Sequence, residues 1–78
     1  MSILDKKAIN DLKWNYNYNL GRYINGCQYI AKNKKESEKW LPEIISILEN
    51  MNLLLEEIMK YEKVTNIQIL KGFDIKEN

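Results

Sequence analysis

Histidine is absent from this 78-residue chain, and cysteine, proline and phenylalanine occur once each. Without histidine there is no imidazole to act as general base or as a nitrogen ligand, and Cys27 has neither an activating partner nor a second thiol for a disulfide. Zinc-finger spacings and Cys–His nucleophile pairs are therefore excluded. The glycines Gly21, Gly26 and Gly72 are scattered and build no phosphate-binding loop. Arginine is scarce as well: Arg22 stands alone among lysines, so bidentate base readout has one side chain to draw on. The carboxylates Glu49, Glu56 and Glu57 fall on a solvated helix face with no histidine beside them, a poor metal site. The expectation is no enzyme: no catalytic residue, no metal and no cofactor.

Long apolar runs are missing too. Leu53-Leu54-Leu55 is cut off by Glu49, Glu56 and Glu57, and Met1 to Asp11 holds no apolar signal core, so neither a membrane span nor an export signal is expected. A cytoplasmic location follows as the expectation. A single domain this short draws only about 3–5 kcal/mol from one core, and with no disulfide or metal available, association is the remaining way to bury more surface.

The formal net charge of +1 gives no bulk attraction to nucleic acid or anionic membrane. Its distribution is uneven. Up to residue 35, Lys6, Lys7, Lys13, Arg22, Lys32, Lys34 and Lys35 face only Asp5 and Asp11, whereas Glu36 to Glu62 carries Glu36, Glu38, Glu43, Glu49, Glu56, Glu57 and Glu62 against Lys39 and Lys60. Two helices attracting each other across a hairpin account for this more simply than a nucleic-acid site, although nucleic-acid binding through the basic first helix stays as an alternative.

Helical spacing organises what remains. Ile9, Leu12, Tyr16, Leu20, Tyr23, Cys27 and Ile30 fall on one stripe and predict a helix over about 5–33. Trp14 to Leu20 alternates aromatic and polar residues with period two, as a strand would, but no second strand of comparable strength exists to pair with it. One helix is therefore expected; Gly21 and Gly26 each cost about 1 kcal/mol inside it, which leaves a break near Gly21 as the alternative. The polar run at 34–38 predicts a turn, and Leu41 to Tyr61 holds the densest apolar pattern, predicting a helix over about 39–62 with Pro42 in its first turn. Two adjacent seams run along it: Leu41, Ile45, Leu48, Asn52, Leu55 and Met59, and Trp40, Ile44, Ile47, Met51, Leu54, Ile58 and Tyr61. One hairpin partner covers one seam, so the second, Trp40 to Tyr61, must meet either another subunit, as the oligomer contact of a dimer, or the C-terminal tail, whose Ile67, Leu70, Phe73 and Ile75 are expected to fold back and complete the core. Thr65-x-x-Gln68 reads as a capping box bracketed by Val64 and Ile69, predicting a short helix over about 66–71 that stops at Gly72.

The fold class expected is thus all-α, a long antiparallel hairpin with a short C-terminal helix, completing a four-helix bundle as a homodimer. On the back of the first helix, Asp11, Trp14, Tyr18, Arg22, Asn25 and Tyr29 form a second stripe. Tryptophan, tyrosine and arginine dominate binding hot spots because they bury large rigid surfaces while keeping a polar handle. Trp14, Tyr18, Arg22, Asn25 and Tyr29 are accordingly the candidate partner-binding residues. The function expected is a protein-interaction module that inhibits or bridges a larger host protein. A purely structural or assembly subunit is the second alternative. The abundance of lysine, asparagine and isoleucine is associated with AT-rich bacterial or phage genomes and suggests an accessory protein of such an origin.

Overall fold

The computed structural model describes residues 4–75. It is all-α: α1 spans Leu4–Lys32, a 3-10 turn covers Lys34–Glu36, α2 spans Ser37–Met59 and α3 spans Asn66–Lys71. No strand occurs among the described residues. The two long helices form an antiparallel hairpin within an envelope of 49 × 19 × 19 Å.

The Trp14 to Leu20 segment lies in the middle of α1, which runs unbroken through Gly21. Helical spacing wins over local alternation because only the helix places Tyr16 and Leu20 together with the rest of the apolar stripe, and both are buried. Around Gly21 there is open space, so no neighbour forces a break. Gly26 is the glycine that matters for packing: a Cβ there would lie 3.0 Å from Ile44 Cγ1, so its absence lets α2 come close.

α2 begins earlier than the sequence suggests. Its first residue is Ser37, and Pro42 lies inside the helix rather than in its first turn. Lacking an N–H, Pro42 leaves the carbonyl of Glu38 without its helical donor. Glu38 is exposed, so water can satisfy that oxygen and the helix continues. The Ser37 hydroxyl donates back to the carbonyl of Lys34 at 2.9 Å, tying the start of α2 to the turn. At the other end α2 stops at Met59, and two backbone bonds accepted by Ile58 close the exit, from Tyr61 at 2.9 Å and Glu62 at 3.1 Å.

The seam assignment of α2 is corrected by the core. Ile44, Ile47, Met51 and Ile58, expected to await a second subunit, are buried inside this chain, together with Leu55 from the other seam. Leu54 is half-buried, and only the terminal members Trp40 and Tyr61 are exposed. The other seam leaves Leu41, Ile45, Leu48, Asn52 and Met59 in solvent, with Leu53 beside it. The two seams differ by a small rotation of one helix, and the close approach at Gly26 and Ile44 fixes that rotation.

The tail completes the core. Phe73 is buried against Tyr16, ring edge to ring face at 5.4 Å and 77°, and Val64, Ile69 and Ile75 pack around the same cluster. Burying an aromatic or large aliphatic side chain is worth about 1.5–3 kcal/mol, so Tyr16, Ile58 and Phe73 weigh heavily in a chain of this size. Polar bonds then lock the tail in place. The Tyr16 hydroxyl donates to the Ile69 carbonyl at 2.7 Å, satisfying an oxygen near the C-terminal end of α3. Asn17 clasps Phe73 from both sides, donating to its carbonyl at 2.8 Å and accepting from its N–H at 2.7 Å. Gly72 makes the clasp possible: its φ is +95°, and a Cβ would sit 2.7 Å from Asn17 Oδ1. Lys13 pairs with Glu62 at 2.7 Å and lies over the Phe73 ring at 5.7 Å. α3 itself is held by both bonds of a capping box, Gln68 N–H to Thr65 Oγ1 at 3.2 Å and Thr65 N–H to Gln68 Oε1 at 2.9 Å.

Charge attraction between the halves is a minor contributor. Among the described residues the ion pairs are Lys13–Glu62 and the local Lys60–Glu57, both at 2.7 Å. Neither joins α1 to the body of α2, so apolar packing rather than charge holds the two long helices together.

Candidate functional site

Helical geometry puts Trp14, Tyr18 and Arg22 on one line, four residues apart, over about 12 Å of the solvent side of α1. Trp14 is 53% and Tyr18 67% exposed. The Arg22 guanidinium lies 5.7 Å from the centre of the Tyr18 ring, so the cation and the aromatic face form one continuous surface. Asn25, next along the line, is also exposed.

Tyr29 is exposed too but is committed locally. Its hydroxyl donates to Glu36 Oε2 at 2.8 Å, and the Trp40 indole N–H donates to Glu36 Oε1 at 3.3 Å. One carboxylate thus aligns two rings, edge to face, with centres 6.4 Å apart and planes at 86°. Accepting from Tyr29, and then from Trp40, holds the Glu36 carboxyl below its ordinary pKa. The same bond pushes the Tyr29 phenol up. Lys39 lies 5.4 Å from the Trp40 ring centre and adds a cation to its face.

Between the aromatic line and this cluster lies a groove of about 580 Å³, lined by Arg22, Asn25 and Tyr29 of α1 and by Trp40, Glu43 and Ile44 of α2, with Gly26 and Ile47 completing it. The buried side chains Ile44 and Ile47 make an apolar floor. Arg22 on one wall and Glu43 on the other are not paired with each other among the described ion pairs. An apolar floor with polar lips of opposite sign suits a partner's side chain or helix edge.

Four of the five partner-binding candidates, Arg22, Asn25, Trp14 and Tyr18, therefore share one uninterrupted side of α1, and Tyr29 joins them only as the lip of the groove. Trp40, Ile44 and Ile47, read from the sequence as an oligomer seam, line the same groove from α2. Sequence reasoning missed Glu36, Glu43 and Gly26. Glu36 was legible as a carboxylate seven residues after Tyr29 and four before Trp40, whereas the pairing of Gly26 with Ile44 depends on hairpin register and has no local signal. Among the described residues, no three of histidine, cysteine, aspartate or glutamate come together to hold a metal ion. No described helix is long and apolar enough to cross a membrane.

Fold and surface together define a small all-α hairpin with its tail docked on its own core and an aromatic, arginine-bearing side left open. No known family model, no curated protein and no solved structure matches this chain.

Proposed function

We propose that this chain is a non-enzymatic protein-interaction module whose binding surface is the open side of α1, Trp14, Tyr18, Arg22 and Asn25, together with the groove lipped by Tyr29 and Trp40. The observation that supports it is the exposure of two large aromatics with an arginine over one of them, on the side of α1 away from the stripe whose Tyr16 and Leu20 are buried in the core. A larger protein, occluded or bridged by this face, is the partner proposed. The composition associated with AT-rich bacterial and phage genomes makes an accessory or inhibitor role the specific form of the reading.

Nucleic-acid binding has less to rest on. Lys13 is engaged by Glu62 and its side chain is only 14% exposed. Lys6, with Lys7 beside it, is separated from Lys32 by about 39 Å of helix, and Arg22 is the one cation between them free of an ion pair, so the lysines sit at opposite ends of the hairpin rather than in one phosphate-tracking stripe. Titration with single- and double-stranded oligonucleotides at low and moderate salt would revive this reading if it gave salt-dependent binding.

The test of the main reading is the double variant Trp14→Ala/Tyr18→Ala. Both side chains are exposed, so helicity and melting temperature should stay at wild-type values while retention of a host protein from a bacterial lysate is lost. Equal retention by variant and wild type would remove the proposed face.

A further inference from the structure

The turn end of the hairpin carries a corner built from two aromatic rings. Tyr29 and Trp40 stand edge to face at 86°, and both donate to the Glu36 carboxylate, which fixes the angle between them. Where one ring stands upright on the face of another, a group lodged in the angle meets the π-faces of both. Both rings line the groove of about 580 Å³, so that angle opens into it, while Glu36 holds the rings from outside.

Glu43 stands three residues beyond Trp40 on the same side of α2 and lines the groove beside the rings. Its side chain is exposed, and no cation pairs with it among the described residues. Below lie Ile44 and Ile47, both buried and wholly apolar. Ring faces are electronegative, so Tyr29, Trp40 and Glu43 all favour a cation. Arg22, on the opposite wall, is the one group that would favour an anion. Its guanidinium lies 5.7 Å from the Tyr18 ring, which is not part of the groove, so this charge sits at the rim. Trp40 already holds a cation in the chain itself: Lys39 lies 5.4 Å from its ring centre without lining the groove.

Resting on the protein-interaction reading above, we infer that this groove is the seat for an arginine side chain of the partner. Its guanidinium packs in the corner of Tyr29 and Trp40 and pairs with Glu43, and its methylenes cover Ile44 and Ile47. Arginine suits the seat better than lysine because its head is flat and weakly hydrated, stacks on rings, and forks onto a carboxylate at the same time. The ammonium of lysine is a compact, strongly hydrated charge that loses more on leaving water.

The test is a nuclear magnetic resonance titration of the full chain with N-acetyl-arginine amide, set against N-acetyl-citrulline amide, its neutral isostere, and N-acetyl-glutamate amide. The arginine probe should shift the Trp40 indole N–H and the Tyr29 ring saturably, in the millimolar range, and leave the Trp14 indole N–H in place. The citrulline probe should bind several-fold more weakly. Glu43→Gln, at an exposed position, should weaken arginine binding several-fold with helicity unchanged, and Arg22→Gln should strengthen it by removing a like charge. No saturable shift with arginine, or an equal shift at Trp14, would overturn the inference. Equal binding of citrulline would overturn it in favour of a neutral guest, and tighter binding of the glutamate probe in favour of an acidic one held by Arg22. Retention of a host protein by the Trp14→Ala/Tyr18→Ala variant is a separate readout, so failure of the arginine seat is distinguishable from failure of the wider binding face.

Discussion

The two ends of the hairpin are built on opposite terms. At the end near the termini, the tail crosses back over α1 and buries Phe73, so that Tyr16, Leu20, Leu55 and Ile58 have neighbours on every side. At the turn end, α1 and α2 have only each other: Ile44 and Ile47 are buried, but Tyr23, Cys27 and Ile30 opposite them are only half-buried. The aromatic clasp of Tyr29, Glu36 and Trp40 there lies on the surface. Its bonds compete directly with water and contribute little, whereas the bonds of Tyr16 and Asn17 sit beside packed rings where an unmade bond is costly. A third helix of six residues thus decides where this protein is rigid and where it is open.

The largest expected break of that contrast is Tyr16→Ala. It removes a side chain that is 1% exposed, its edge-to-face contact with Phe73 and its bond to Ile69, an expected loss of about 3–5 kcal/mol. That is comparable to the whole stability of a domain this small, so urea denaturation followed by circular dichroism should find the variant largely unfolded in buffer. Asn17→Ala should be milder, about 1–3 kcal/mol, because it strands the Phe73 N–H and carbonyl without emptying the core. Its signature is faster amide exchange in the tail with the hairpin's helicity retained. Thr65→Ala removes one arm of the capping box and should cost about 1 kcal/mol, read as a lowered melting temperature.

The smallest effect belongs to the turn end. Because the Glu36 carboxyl is held below its ordinary pKa, its contribution is present above the ordinary value and is lost as pH falls through the lower, folded one. Acid titration should therefore alter the near-ultraviolet signal of Trp40 and Tyr29 before the hairpin's helicity changes. The other end answers to the opposite direction of pH. Burial pushes the Tyr16 phenol up, so the stability tied to its neutral form is complete below the ordinary value of 10.0 and is lost as pH rises through the raised one.

Much of the fold was legible because its signals are local. The stripe from Ile9 to Ile30 is a matter of spacing, and Thr65 with Gln68 starts α3 within a single turn. What could not be read is what depends on register between distant segments. Asn17 and Phe73 are 56 residues apart, and Asn17 looked like one more polar residue in an alternating run. The two seams of α2 are equally apolar, so the choice between them rests on the rotation that packs Ile44 on Gly26, which only the assembled hairpin reveals. At the candidate site the exposed line of Trp14, Tyr18 and Arg22 followed from α1 being helical, and the groove beside it did not, because half of its wall comes from α2.

The open surfaces exist only if the tail is docked on its own chain rather than on another copy. Backbone amide exchange at Phe73, measured by nuclear magnetic resonance at protein concentrations where sedimentation shows a monomer, tests this directly. The Phe73 N–H, bonded to Asn17, should exchange as slowly as the amides of Met51 and Leu55 in the core. Exchange at the rate of an unprotected amide, while those core amides stay protected, would contradict it.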